Sequence, residues 1–253
     1  MRIVFLLAAI AVASAIAAGQ NKTAEPTAEK RPFANSLQAF VVVTENESAF
    51  QGRGRLFDRK GPRSKWRSVG DDFPVVIGRN GLAWAADSAP EAVSIFKVEG
   101  DGRSPAGMFP LTASFGRAER ESFNSLPYTK LGDFTECVDD PASSHYNRIV
   151  DRMQVGNFDW KSSEKMLEMG MVYDLGINVG YNSYPVIKGG GSCIFLHIWA
   201  DSATGTAGCT AMKREDLQRV LAWADPERSP YLVQMTATDL KEFRKAWDLP
   251  KMK

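Results

Sequence analysis

Apolar positions along this chain fall in short β-branched runs broken by Gly, Pro and Asp, a pattern that predicts strands. Residues 39–44 (Ala-Phe-Val-Val-Val-Thr) are bounded by Glu45-Asn46-Glu47, and residues 73–77 run up to Gly78. Further strands are predicted over 92–98, 108–112, 171–179, 192–198 and 231–236. Helical periodicity is rarer. Residues 213–224 place Leu217, Val220, Leu221 and Ala224 on one face, and Asp225-Pro226 stops that helix. Thr238 is expected to cap a C-terminal helix with Leu240, Phe243 and Trp247 on its apolar face. Ser162 or Ser163 is expected to cap a short helix ending before Gly170. Strands at this density, with few helices and no repeat or linker, predict a mainly β fold and a single domain over residues 37–253.

The first residues follow a different pattern. Arg2 precedes a short apolar run, residues 3–12, and Ala13-Ser14-Ala15 or Ala15-Ile16-Ala17 fits a small-x-small cleavage site. Residues 1–18 therefore read as a signal peptide and the chain as exported to the periplasm or cell envelope. Residues 19–36, polar and carrying Pro26 and Pro32, read as a flexible lead-in. A net charge of +1 gives no electrostatic basis for binding nucleic acid, and no later apolar run is long enough to span a membrane. A monomer is expected.

Export bears on Cys137, Cys193 and Cys209, the three cysteines. Cys209 is expected to be free and reactive. For the other two, a pair of buried thiols is the simpler reading and a Cys137–Cys193 disulfide the alternative. Cys209 follows Thr206-Ala207-Gly208 and precedes the amphipathic helix. Proximity to a helix N-terminus would favour a thiolate, and the Gly208 and Cys209 N–H groups could hold an oxyanion. His197, one of two histidines, ends an apolar strand and is the candidate base. His145 sits in a polar loop and is read as a surface residue. Zinc ligation is disfavoured because paired ligand spacing is missing, so no metal is expected. Residues 99–107 lack the Gly-Lys-Ser/Thr ending of a phosphate loop and read as a tight turn. The long mixed stretch 113–161 has no clear pattern, and its place relative to a cleft is open.

His197 followed by Thr206, Gly208 and Cys209 resembles the signature of the L,D-transpeptidase catalytic domain, the YkuD type. Supporting segments are Asp101–Phe109, with Ser104 where that family has Thr, and Arg79–Trp84, Tyr173-Asp174-Leu175 and Gly180-Tyr181-Asn182. The resemblance spans roughly residues 38–235 and implies a β-sandwich or barrel with a few short helices. It also implies a cysteine acyl-transferase acting on peptidoglycan stem peptides without a cofactor. In that reading Cys209 is the nucleophile, His197 the base, the Ile198 carbonyl its orienting partner, and Gly208 part of the oxyanion hole. Thr206, Trp199, Tyr181 and Asn182 are the expected substrate-binding residues. Alternatives are a hydrolase on the same substrate (carboxypeptidase or amidase type) and a catalytically idle wall-binding module. Three differences stand out: Ala211 replaces the usual arginine, Ile198 replaces the usual glycine, and Cys209 follows His197 by only 12 positions. Lys213 or Arg214 is a candidate source of the missing charge.

Overall fold

Strand β1 (Gln38–Thr44) is buried along its whole length, which is why its sequence is a continuous apolar run instead of an alternation. The computed structural model describes residues 33–252 except 87, 88, 91, 92 and 94. After β1 come β2 (Gln51–Asp58), β3 (Arg67–Val76), β4 (Leu82–Trp84) and β5 (Ser104–Gly116). Four short strands follow, β6 (Tyr128–Lys130), β7 (Thr135–Val138), β8 (Ile149–Asp151) and β9 (Ser163–Lys165), with the one-turn helix α1 (Arg152–Val155) between the last two. A 3-10 segment, Met166–Tyr173, leads into β10 (Leu175–Val179), then β11 (Phe195–Ile198) and β12 (Thr210–Met212). Helix α2 (Arg214–Trp223), strand β13 (Pro230–Thr236) and helix α3 (Ala237–Phe243) complete the chain.

Hydrogen-bonded neighbours run β10, β11, β12, β3, β2, β1, β13, β5, and β5 pairs back onto β10 to close the sheet into a barrel. Closure is possible because β5 is 13 residues long. Its first half pairs with β13 from Gly107 to Pro110, and its second half pairs with β10 from Leu111 to Gly116. A closed barrel leaves no open edge among these strands. Its main core includes Phe40, Val41, Ile77, Leu196, Leu232 and Val233, each essentially fully buried. Each such side chain contributes about 1.5–3 kcal/mol. Helix α2 covers the barrel with Leu217, Val220 and Leu221, the residues its periodicity selected.

Beside the barrel lies a three-stranded sheet ordered β8-β7-β9, with β7 wholly buried. This sheet gives structure to the stretch whose sequence showed no pattern. It joins the barrel through a second core of Phe115, Cys137, Met166, Tyr173, Cys193, Phe195 and Cys209. A Cys137–Cys193 disulfide fastens the two together. The simpler expectation of two buried thiols is thereby corrected: β7 and the segment entering β11, distant in sequence, are packed side by side.

Several local expectations are also corrected. Strand β2 escaped notice because its sequence is Gln-Gly-Arg-Gly-Arg. Glycine is required at Gly54, where an added Cβ would lie 2.6 Å from the Phe40 ring. In the predicted strand 92–98, part of which lies outside the described residues, only Phe96 forms a bridge, to Trp84. The predicted strand 171–179 begins at Leu175, after the 3-10 segment. The helix expected from Ser162 or Ser163 is instead β9 followed by that segment. Helix α3 is capped by Thr236, not Thr238: the Thr236 hydroxyl accepts the Asp239 N–H at 3.1 Å. Phe33, assigned to the lead-in, is buried and stacks on Trp66, so the packed structure already includes that residue. The expected signal peptide, residues 1–18, and residues 19–32 of the lead-in lie outside the described residues. Among the described residues no helix is long and apolar enough to cross a membrane.

Candidate active site

His197 sits on β11 between Gly176 of β10 and Ala211 of β12. Its Nδ1 lies 2.8 Å from the Ile198 carbonyl oxygen. A carbonyl can only accept, so Nδ1 carries the proton and Nε2 keeps a lone pair for accepting one. Burial lowers the imidazole pKa to about 4, against a smaller raising effect of the Ile198 carbonyl. The ring is therefore neutral at neutral pH. It packs edge-on against Tyr173 at 5.4 Å between centroids.

Cys209 is presented by a turn that its own loop ties together. Thr206 Oγ1 donates to the Cys209 carbonyl at 2.6 Å and accepts the Gly208 N–H at 3.1 Å. The loop is pinned to the end of β3, where the Arg79 N–H donates to the Thr206 carbonyl and the Thr206 N–H to the Ile77 carbonyl. Ser104, fully buried at the start of β5, reaches the same turn. Its hydroxyl accepts the Gly78 N–H at 2.9 Å and donates to the Gly208 carbonyl at 2.6 Å. One buried hydroxyl thus locks β3, β5 and the cysteine turn together.

The Cys209 sulfur accepts the Phe195 N–H at 3.3 Å and faces the Cys193 carbonyl at 3.4 Å. Tyr173 belongs to the same small core as Cys209 and lines the same cavity. Burial, followed by the charge of Glu164, pushes the thiol far above its ordinary pKa. This reverses the expectation of a thiolate at a helix N-terminus. Strand β12 intervenes between Cys209 and α2, so the helix dipole begins well away from the sulfur. The resting pair is a neutral thiol beside a neutral imidazole.

His197, Cys209, Trp199, Thr206, Tyr173 and Glu164 line one cavity of about 180 Å³. Glu164, half-buried as a residue, turns its carboxyl inward and accepts the Tyr173 hydroxyl proton at 2.6 Å. Burial raises this carboxyl to about 7. Tyr181 and Asn182 lie elsewhere, lining a separate cavity of about 410 Å³. There Tyr181 is buried against Phe109 and bonded to the Gly190 carbonyl, while Asn182 ties its own loop to Ile187 and Gly191. Ala211 is completely buried opposite Val76, and both residues border the Cys209 cavity, where the small alanine side chain contributes no charge. Neither Lys213 nor Arg214 lines the Cys209 cavity, and Arg214 is paired with Asp174. His145 remains partly exposed, 3.6 Å from Asp159. Among the described residues no group of three or more His, Cys, Asp or Glu side chains could hold a metal ion.

The family model of the L,D-transpeptidase catalytic domain, YkuD, matches residues 53–234 of this chain. The chain belongs to that family. Neither the curated proteins nor the solved structures provide a match. The matched span of this L,D-transpeptidase domain runs from β2 to β13 and contains both His197 and Cys209. Two features of the site were hidden in its sequence. Glu164 sits in the polar run Ser-Ser-Glu-Lys and looks like any solvated acid, and Ser104 looks like a turn residue. Tyr173 lay inside a segment that carried the resemblance, without a role attached to it.

Proposed function

We propose that this L,D-transpeptidase domain is an exported cysteine acyl-transferase acting on peptidoglycan stem peptides, with Cys209 as nucleophile and His197 as base. The observation that carries this reading is the shared cavity, in which an imidazole with a free Nε2 lone pair and the unpaired cysteine both face the same space. The Cys209 thiol gives its proton to His197 Nε2, forming imidazolium, as the sulfur adds to the stem-peptide carbonyl and a tetrahedral oxyanion forms. Collapse expels the terminal D-amino acid as its amine takes a proton from imidazolium, leaving a thioester on Cys209. An acceptor amine then attacks the thioester, gives its proton to His197, and releases the thiol.

A neutral thiol beside a neutral imidazole favours proton transfer during attack over a preformed ion pair. The Gly208 N–H is occupied by Thr206 Oγ1, so it enters an oxyanion hole by exchanging that bond for one to the developing charge. Thr206 and Trp199 border the cavity and are the substrate-facing residues in this reading. The test is mass spectrometry of products from disaccharide-tetrapeptide, with Cys209→Ala as control. Cysteine-dependent dimers support transfer to an amine. Trimmed monomers alone replace transfer by hydrolysis, and unchanged substrate overturns both.

A further inference from the structure

Resting on the reading of Cys209 as nucleophile, we propose that Glu164 determines specificity for the acceptor, its carboxylate receiving the ammonium group of the incoming amine beside Cys209. Two parts of the fold meet to place it there. His197 and the Cys209 turn belong to the barrel, while Glu164 is carried by β9 of the small sheet, opposite Cys137 of β7. All three side chains line the same cavity.

The cavity suits a cation. Among the described residues that line it there is no lysine or arginine, and His197 is neutral, so the carboxylate of Glu164 is its charged group. Oε2 of that carboxylate accepts the Tyr173 hydroxyl at 2.6 Å. Oε1 has no hydrogen-bond partner among the described residues and is not sealed in the core, so it is open to a guest. The charged groups that act on Glu164 are Asp139 and Glu99, both of like sign. A carboxylate shielded from water without a counter-ion is unfavourable, and a guest ammonium relieves it. Tyr173 and Trp199 add aromatic side chains to the lining, and aromatic faces attract cations. The same field turns a carboxylate away.

An alkyl amine reaches the thioester as ammonium and must lose two protons to become an amide. The first passes to Glu164: an ammonium N–H bond breaks, a carboxyl O–H bond forms, and the nitrogen keeps the lone pair that attacks. The second passes to His197 during attack and returns to the sulfur as it leaves. Glu164 gives its proton to water when the product departs, which a proton affinity close to neutrality allows.

The experiment lets a charged and an uncharged nucleophile compete for one thioester. Disaccharide-tetrapeptide is incubated with hydroxylamine, which is uncharged at neutral pH, and mass spectrometry compares dimers with hydroxamates. Their ratio does not depend on how fast the thioester forms, so a variant that is merely slower at acylation keeps it. Glu164→Gln retains an oxygen for Tyr173 and removes the charge, and the dimer-to-hydroxamate ratio should fall at least about fivefold. A smaller fall overturns the proposal. Should the variant fail to fold, the native protein decides through Cys209, its free thiol. Relative to mercaptoethanol, Cys209 should favour cationic aminoethyl methanethiosulfonate over the anionic sulfonatoethyl reagent by at least about fivefold. A weaker preference overturns the subsite. Such labelling needs no substrate. Native protein that forms neither dimers nor hydroxamates, yet keeps the charge preference, would sink the transferase reading alone.

Discussion

Removing the Cys137–Cys193 disulfide should cost this protein much of its stability, and the amount follows from where the bond sits. Its ends are 56 residues apart in sequence, so it closes a loop containing β8, α1, β9, the 3-10 segment and β10. The chain-entropy relation for a loop of that length gives about 4 kcal/mol at room temperature. Residual structure in the unfolded chain lowers this figure, so a loss of ~2–4 kcal/mol is expected for Cys137→Ala with Cys193→Ala. Both sulfurs must go, since a single substitution leaves a thiol free to react with Cys209. Urea unfolding followed by tryptophan fluorescence reads the change. With a slope of about 2 kcal/mol per molar, the midpoint should drop by ~1–2 M. The reasoning also has a local consequence, because Cys193 supplies the carbonyl facing Cys209 Sγ and belongs to the same small core. Untethered, this core should loosen first, and Cys209 should alkylate faster under native conditions. A midpoint unchanged to within about 0.3 M would refute the argument. It would mean that the three-stranded sheet docks on the barrel by packing alone.

Ser104→Ala should destabilise the fold by ~2–3 kcal/mol, because the Gly78 N–H and the Gly208 carbonyl lose a partner in a buried place. Transfer activity should fall as well, and wild-type-like melting would contradict the locking role given to this hydroxyl. Gly54→Ala should cost ~1–3 kcal/mol by driving a methyl into the Phe40 ring, readable as a lower urea midpoint. For pH, the signs of two groups oppose. The folded-state pKa of His197 lies below its ordinary 6.5, so protons bind preferentially to the unfolded chain and stability is lost as pH falls from 6.5 to about 4. Glu164 is raised from 4.5 to about 7, so it withdraws stability as pH rises through that range. Each effect is about 3 kcal/mol, and they nearly cancel across the mildly acidic range. Glu164→Gln should expose the histidine effect as a steep loss of stability on acidification. Parallel stability–pH curves for variant and native protein would contradict it.

What could be read from the sequence follows from local chemistry. The buried run of β1, the period of α2 and the small-residue turn before Cys209 are short-range patterns, and each reflects one element's own geometry. The histidine and cysteine that line the shared cavity stood out for the same reason, being rare residue types close together in the chain. Tertiary structure decided what depends on contacts between distant segments. Barrel closure through the two halves of β5 is one such outcome, as is the strand β2, where Gly54 is required by the Phe40 ring and Gly52 by the close Val43 carbonyl. The pairing of Cys137 with Cys193 is another, since nothing in the residues near either cysteine names its partner. The protonation state of the site is the clearest case. Sequence placed Cys209 just before a helix and pointed to a thiolate. An intervening strand, burial in the second core and the inward turn of Glu164 instead hold a neutral thiol. Charge and burial sum over everything that surrounds a group in space, and a linear chain records only its neighbours in order.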